Sequence, residues 1–231
     1  MMLKRTIIGI VIVLAALSAF LFRAPNGEAQ SSDGGSRMSL PEPRVAGEMS
    51  LEECLAARRS VRSYGARALT LSEVSQVLWA AQGITDAHGH RTAPSAGALY
   101  PVKLYLAVGE VSGLSPGLYE YHPDGHALTL VKEGDPRRDL TQAALSQQCV
   151  GAAKACLVIA AVPSVTEAKY GGRAMRYIDN EAGCICQNIY LQCQALGLGT
   201  VCIGAFDDTW VAEVVGTDAE PRILMPFGPR P

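Results

Sequence analysis

One long stretch, residues 173–208, constrains the fold of this chain more than any other. Its first half carries apolar residues at steps of three and four, the spacing of one helix face, at Met175, Ile178, Ala182, Ile185, Ile189 and Cys193. Gly197 follows as a candidate left-handed cap, and residues 200–205 form a short apolar run. We therefore expect a long core helix that leads into a buried strand ending in Gly204 and Ala205. Small residues let the backbone approach a flat ligand closely, although simple α/β packing explains the same pattern.

Length and composition favour one sizeable domain. The chain has 231 residues, 48% of them hydrophobic, and a net charge of −2. About 200 residues remain once the N-terminal segment is set aside, which is enough for a single core. The sequence shows no basic stripe of the kind that binds nucleic acid, so we expect no nucleic-acid partner.

The N-terminal segment predicts export or membrane anchoring. Lys4 and Arg5 precede an uncharged apolar run at residues 6–22, which as a helix is just long enough for a thin bilayer. Residues 1–29 are predicted to be either a cleaved signal peptide or an uncleaved membrane tether, and the two alternatives stay open. Positive charge before the run places the domain outside the cytoplasm.

Composition and patterning divide the rest of the chain. Residues 30–49 are rich in Ser, Gly and Pro and are predicted to be a flexible linker, and residues 50–231 are predicted to form the domain. Capping boxes at Ser50 and Thr70 start the first two helices. Further patterns predict helices at 51–59, 71–82, 135–148 and 210–215, and strands at 102–108, 117–121, 127–132, 155–162 and 223–227. This order predicts an α+β fold with a mixed sheet.

A cluster of basic residues follows the first predicted helix. Arg58, Arg59 and Arg62 surround Ser60. Arginine binds phosphate through a fixed fork of donors, and a serine hydroxyl adds one more, so the cluster predicts a phosphate site. Cations are also favoured at helix C-termini, which leaves an ordinary surface role open.

Two other features are suited to binding a planar ring or to transferring a proton. The loop 94–98 offers backbone N–H groups and small side chains, and Lys169 and Tyr170 can serve as proton acceptor and donor. An ordinary turn and an ordinary surface pair explain them equally well. The chain carries neither a P-loop nor a GxGxxG fingerprint, so neither an NTPase nor a Rossmann site is supported.

The seven cysteines include no CxxC pair, and we predict that most of them are small buried hydrophobic residues. A cysteine-based redox protein is a further alternative, which would require Cys184 or Cys186 to be reactive in the native state.

Five motifs in chain order carry a family resemblance. The chain contains RRSVRSY, RTAPSAGALYPVKLYL, GLYEYHPDGHAL, KYGGRAMRYIDNEAGCICQNIYLQCQALGLGT and GAFDD. Together they resemble the SagB-type dehydrogenases, a branch of the FMN-dependent nitroreductase family, over most of residues 51–230. The resemblance implies an α+β fold, a nitroreductase-like three-layer α/β/α sandwich with a mixed, mainly antiparallel sheet. It also implies a homodimer with FMN bound at the interface.

The resemblance assigns roles by position. It implies that Arg58, Arg59, Ser60 and Arg62 bind the FMN phosphate and ribityl chain, and that Arg230 is a second phosphate contact. Pro94, Ser95, Ala96 and Gly97 would line the flavin face, and Gly204 and Ala205 would face flavin N5. Lys169 and Tyr170 match the Lys-Tyr pair implicated in azoline oxidation by this branch, which implies catalytic roles. The chain departs from the branch at Cys184, where EAGH is common.

The function implied is that of an FMN-dependent oxidoreductase. As a SagB-like dehydrogenase it would transfer hydride between a small-molecule or peptide substrate and flavin N5. One alternative is an NAD(P)H-dependent nitro or quinone reductase, with NAD(P)H as co-substrate. Another is a non-catalytic flavin-binding module tethered to the membrane.

Overall fold

The computed structural model describes residues 37–231. Its helices are α1 (Leu51–Ala57), α2 (Leu71–Gln82), α3 (Arg137–Ala143), α4 (Gln148–Ala152), α5 (Pro163–Tyr170), α6 (Ala174–Ala195) and α7 (Asp208–Val215). Its strands are β1 (Arg37–Ser39), β2 (Leu69–Thr70), β3 (Val102–Val108), β4 (Val111–Ser112), β5 (Gly117–His122), β6 (Ala127–Glu133), β7 (Ala155–Ala161), β8 (Leu198–Thr200) and β9 (Glu220–Pro229). Single 3-10 turns occur at Ala96–Ala98 and Gly171–Arg173.

Seven of these strands form one antiparallel sheet in the order β1-β6-β5-β3-β7-β9-β8. The central strands β3 and β7 pair along their full lengths, with Val102 opposite Ala161 and Val108 opposite Ala155. Strands β2 and β4 pair in parallel in a separate two-stranded sheet. The predicted α+β class with a mainly antiparallel arrangement is confirmed.

Both faces of the sheet are covered, which makes three layers. Leu104 and Leu106 of β3 join a core with α2 and α6, whereas Tyr105 and Ala107 join a second core with α3, α4 and α7. Successive strand residues point to opposite faces, so a strand buried on both sides is apolar at almost every position. The burial of every residue of β7 shows the same effect. The predicted α/β/α sandwich is therefore confirmed.

Local sequence signals predicted the start of helices α1 and α2 best. Ser50 and Glu53 form the capping box of α1, and Thr70 and Glu73 form that of α2. In each box the serine or threonine hydroxyl accepts the N3 backbone N–H, while the glutamate accepts the N-cap N–H. Gly197 follows α6 with a φ of 68°, the left-handed conformation that favours glycine.

Two predicted elements are interrupted. The helix predicted at 135–148 forms only as α3, because Leu145 and Ser146 both have positive φ, and α4 begins at the last predicted residue. The strand predicted at 200–205 ends as β8 at Thr200, which lies opposite Phe227. The next residue of β9 is Pro226, which has no N–H to extend the ladder. Helix α5 had no sequence prediction.

The linker predicted at residues 30–49 is wrong for residues 37–44. Arg37–Ser39 adds an edge strand to β6, and Leu40 is only 7% exposed. The backbone N–H of Arg44 donates to Gln76 Oε1 at 2.8 Å, and the Gln76 amide donates back to the Arg44 carbonyl at 2.9 Å. Gln76 is a buried polar residue of α2 that needs such partners, so this segment is part of the domain.

The prediction of an exported or membrane-anchored protein is wrong for the part of the chain that the structure describes. Within residues 37–231, no helix combines the length and the apolar character needed to cross a membrane. The apolar run at residues 6–22 and the signal peptide or tether predicted for residues 1–29 lie outside the described residues.

A hydrogen-bonded relay through His126 attaches the N-terminal segment to the core. Ser75 Oγ donates to the Pro41 carbonyl at 2.5 Å and lies 2.7 Å from His126 Nε2. Tyr121 Oη lies 2.8 Å from His126 Nδ1. Since the serine proton is committed to Pro41, Nε2 carries a proton, and in the neutral imidazole Tyr121 donates to Nδ1.

We expect the free energy of unfolding to decrease as the pH falls below about 6.5, where a histidine titrates in the unfolded chain. Burial lowers the pKa of His126 in the folded protein. The contribution of the neutral ring is therefore complete above about pH 6.5 and is lost as the pH falls through the lower, folded pKa. Urea unfolding at pH 7.5 and 5.5 measures the difference.

His126→Asn should reduce this pH dependence, because asparagine tolerates the left-handed backbone of this position, with a φ of 45°, and does not titrate. Loss of the relay should cost about 1–3 kcal/mol at neutral pH. The control is His88→Asn at an exposed histidine, which should leave the pH dependence unchanged. An equal loss of pH dependence in both variants would contradict the assignment.

Candidate functional site

The flavin-lining loop and the Lys-Tyr pair, which were predicted separately, meet in the structure. Gly97 has a φ of 64°. A Cβ atom built there would lie 2.7 Å from Tyr170 Oη and 2.8 Å from Lys169 Nζ. Both side chains come from the C-terminal end of α5, so the end of this helix faces the loop. We call Gly97, Lys169 and Tyr170 the acid–base group.

Aromatic packing orients Tyr170 within this group. Its ring contacts the ring of Tyr177 edge-on, with centroids 4.9 Å apart and planes at 84°. Lys169 Nζ lies 5.5 Å from the centroid of the Tyr170 ring. Lys169 is exposed and Tyr170 is half-buried, so both can reach a ligand that lies over the loop. A phenol that donates or accepts one proton beside an ammonium is suited to moving a proton.

A buried carboxylic acid lies beneath the same loop. Glu181 of α6 is 3% exposed, and its Oε1 accepts the Gln82 amide at 3.1 Å. The Ser95 side chain also interacts with this carboxyl group and favours its charged form. Burial raises the pKa of Glu181, while these interactions and the charge of Arg91 oppose the shift. Arg91 in turn donates to Gln82 Oε1 at 3.0 Å.

The network holds the loop in an unusual conformation. Ser95 Oγ accepts the backbone N–H of Tyr100 at 2.9 Å, and Ala98 and Tyr100 both have positive φ, 54° and 50°. Such backbone strain persists only where surrounding contacts enforce it. Glu181 was not predicted from the sequence as a supporting residue. The available signal was a carboxylate next to the apolar positions 178, 182 and 185 of one helix face.

A second group of predicted residues gathers around β8. Ser60 forms a parallel bridge with Thr200, and its Oγ lies 2.9 Å from Tyr190 Oη. The Arg58 guanidinium lies 5.0 Å from the centroid of the Tyr190 ring. Arg230 Nε donates to the carbonyl of Leu198 at 3.2 Å, and a second N–H donates to Gln194. We call Arg58, Ser60 and Arg230 the anion group.

Arg59 and Arg62, the other two arginines of the motif RRSVRSY, lie outside the anion group. Arg59 donates to the Ala56 carbonyl at 3.0 Å, in the role of a cation at the C-terminus of α1. The charge of Arg62 acts on Tyr64 and on Cys149 of α4. The predicted four-residue phosphate cluster is therefore divided, and Arg58 and Ser60 are the members that share the Tyr190 contact.

Gly204 and Ala205 lie near the anion group and are exposed. A Cβ atom at Gly204 would have no neighbour within 4 Å, so the backbone is open there. The Ala205 carbonyl accepts the side-chain amide of Gln147 at 2.8 Å, which fixes the chain after Gly204. Two residues earlier, the backbone N–H of Cys202 donates to Tyr190 Oη at 2.8 Å.

The two groups lie on opposite flanks of α6. Glu181 supports the acid–base group and Tyr190 supports the anion group. Nine residues of helix separate these two by about 13 Å along the axis and half a turn around it. A single chain therefore does not bring all the predicted site residues together.

Comparisons with known proteins agree with this fold. The family model described as "Nitroreductase family" matches residues 55–229. A protein of Methanocaldococcus jannaschii, provisionally named a nitroreductase, is 41% identical over 194 residues, which are 84% of this chain and 98% of that protein.

Two crystal structures of proteins with the same provisional name are also similar. The one from Ralstonia eutropha has a TM-score of 0.75 at 32% identity and covers 84% of this chain and 90% of that one. The one from Anabaena variabilis has a TM-score of 0.76 at 28% identity and covers 86% of this chain and 42% of that one. The family model covers most of the described residues, and the chain belongs to the nitroreductase family.

Proposed function

We propose that this protein is an FMN-dependent oxidoreductase that acts as a SagB-like dehydrogenase on a small-molecule or peptide substrate. The observation that carries the proposal is the approach of Gly97 to Tyr170 Oη and Lys169 Nζ, since it puts a proton-handling pair against a loop suited to a flat ring. When bound, FMN supplies the hydride-transfer chemistry that no amino-acid side chain provides.

The chemistry of the anion group fits a flavin phosphate. Arg58 and Arg230 supply guanidinium groups and Ser60 supplies a hydroxyl, which are the preferred donors for a dianionic phosphate. Arg230 uses two of its five N–H donors on Leu198 and Gln194, so three remain. Gly97 and the open backbone at Gly204 leave room for a planar ring.

The acid–base group would manage the substrate proton. Oxidation of a C–N or C–C bond removes a hydride from one atom and a proton from its neighbour. Tyr170 in its phenolate form or Lys169 in its free-amine form would accept that proton, and the Tyr177 ring holds the Tyr170 ring in place. Glu181, through Ser95, keeps the loop under the pair. Lys169 and Tyr170 would thus handle the substrate proton, and Glu181 and Ser95 would help to position the flavin ring.

The relatives favour a second candidate. The 41% identical protein and both crystal structures are provisionally named nitroreductases. In this alternative the same residues bind FMN, NAD(P)H is the electron donor, and a nitro compound or quinone is reduced. Under anaerobic conditions, NAD(P)H would bleach the flavin in a reductase and would leave it oxidised in the dehydrogenase.

We further propose that a homodimer completes the site. The acid–base and anion groups lie on opposite flanks of α6, so the anion group of one copy needs the acid–base group of another to enclose a ligand the size of FMN. Val45, Leu51 and Leu55 are 88%, 59% and 50% exposed beside α1, where they offer apolar surface to a second copy. We expect light scattering to give twice the mass of one chain, and a monomeric mass would contradict this arrangement.

We expect the purified protein to be yellow and to release FMN on denaturation. Arg58→Ala should weaken FMN binding by about 10- to 100-fold, because a hydrogen bond to a charged group contributes about 1.5–3 kcal/mol. Flavin fluorescence titration of the stripped protein measures the dissociation constant.

Arg59→Ala is the matched control, since Arg59 is adjacent in sequence but binds the Ala56 carbonyl. It should change FMN affinity by much less than Arg58→Ala does. A colourless protein that fails to bind added FMN would refute both candidate functions. Equal losses in the two variants would contradict only the assignment of the phosphate contact.

A further inference from the structure

Two cysteines from distant parts of the chain meet at the edge of the anion group. Cys186 and Tyr190 are one turn apart on α6, and both are buried. The hydroxyl of Tyr190 accepts the backbone N–H of Cys202 at 2.8 Å, which places Cys202 over this turn. The two thiols therefore come close enough for each to shift the pKa of the other. This contact pairs a buried thiol with an exposed one.

The surroundings of this pair favour a reactive thiolate. The contact with Cys186 lowers the pKa of Cys202 to about 7, although partial burial opposes the shift. The pKa of Cys186 is raised by the same contact and by burial, so it is the proton donor of the pair. The positive charge of Arg58, which lies over the neighbouring Tyr190 ring, also reaches Cys186. A thiol that is accessible and has a lowered pKa is the usual form of a redox-active cysteine.

The remaining cysteines lack this combination. Cys54, Cys149, Cys156 and Cys193 are buried, and burial raises the pKa of each thiol. Cys184 is half-buried on α6 and serves as an accessible comparison. The prediction that most cysteines are buried is confirmed, but Cys202 is an exception.

We propose that Cys186 and Cys202 form a redox-active dithiol that reacts with low-molecular-weight disulfides beside the anion group. Nothing in the proposed flavin chemistry requires this pair, so the inference stands independently of the proposed function.

The reaction would be two successive thiol–disulfide exchanges. The Cys202 thiolate attacks a disulfide such as glutathione disulfide, forms a mixed disulfide and releases one thiolate, which takes up a proton. Cys186 then loses its proton and its sulfur attacks Cys202 Sγ. The mixed disulfide breaks and a second glutathione leaves. Two protein thiols are oxidised by two electrons, and one glutathione disulfide is reduced to two thiols.

The test treats the full-length protein as isolated, with any bound cofactor, with glutathione disulfide at pH 7. Free thiols are then blocked with N-ethylmaleimide under denaturing conditions and peptides are mapped by mass spectrometry. We expect the loss of two of the seven thiols and a peptide cross-linked through Cys186 and Cys202. Cys186→Ser should instead accumulate a glutathione adduct on Cys202, and Cys202→Ser should form neither product.

Two further variants keep the test decisive. Cys184→Ser is the matched control and should cross-link as the wild type does. Cys186→Ala replaces the buried thiol with a small apolar group, so it gives the Cys202 adduct even if a buried serine disturbs folding. Retention of all seven thiols, or an adduct on Cys184 rather than on Cys202, would overturn the proposal.

Alkylation rates provide an independent measurement. A thiol with a pKa near 7 is half ionised at pH 7, but its lower basicity reduces its nucleophilicity. The net advantage over an unperturbed thiol is about fivefold. We expect Cys202 in the native protein to react faster than Cys184, with a pH midpoint near 7. Equal rates for the two thiols would contradict the reactive pair.

Discussion

Replacing Tyr170 with phenylalanine is expected to lower kcat of the proposed dehydrogenation by about 10²–10⁴-fold, the usual contribution of one proton-transfer group. The variant keeps the ring that contacts Tyr177 and loses only the hydroxyl that faces Gly97. Lys169→Ala should produce a loss of similar kind, since Nζ lies beside the same position. Both variants should retain their flavin spectrum, because neither residue belongs to the anion group.

Tyr177→Phe is the matched control. Tyr177 packs against Tyr170 through its ring, so the loss of its hydroxyl should change kcat by much less. The measurements are kcat and kcat/KM across pH, because removal of a proton-transfer group also removes a limb of the pH–rate profile. A Tyr170→Phe enzyme with wild-type kcat and an unchanged profile would exclude the acid–base role. Activity that depends on NAD(P)H and survives both variants would favour the reductase.

The sequence predicted best what depends on neighbours along the chain. Helix α2 begins and ends where its capping box and apolar pattern place it, and the β5–β6 hairpin surrounds the expected turn. The core positions of α6 followed from a single helical period. These signals are local, since a cap needs three residues and a helix face needs steps of three and four.

The errors have long-range causes. The strand after Gly197 is short because Pro226, more than 20 residues later, has no N–H to pair with it. Residues 37–44 are ordered because Ser75, Gln76 and β6 bind them. The composition of this segment gives no information about those partners. His126 has a turn-like sequence context yet forms a half-buried relay for the same reason.

The candidate site combines local and long-range information. Motif matching selected residues that the structure places in the acid–base group and in the anion group, but it treated Arg58, Arg59 and Arg62 as one cluster. Only the structure shows that Arg59 turns back to Ala56. The support from Glu181 and the contact between Cys186 and Cys202 join positions far apart in sequence, so spacing along the chain carries no signal for them.

We expect Gly97→Ala to reduce activity by about a hundredfold, a loss that a displacement near 1 Å can produce. The new methyl group would meet Tyr170 Oη at 2.7 Å and Lys169 Nζ at 2.8 Å. Ordinary contact needs about 3.5 Å, so both polar atoms must retreat by about 0.7 Å or more. The side chains are flexible enough to move, and the penalty should therefore appear in catalysis more than in folding.

Gly89→Ala separates the two effects. Gly89 has a φ of 80°, so alanine suffers a comparable backbone strain of about 1–2 kcal/mol, as at Gly97. Nothing lies within 4 Å of a Cβ atom at Gly89, however, so no catalytic side chain moves. Thermal unfolding should show similar destabilisation in both variants, while the steady-state kinetics should show a large loss in Gly97→Ala alone. If the two variants lost equal activity, backbone strain would explain the result and the close approach of Gly97 to Tyr170 and Lys169 would have no catalytic consequence.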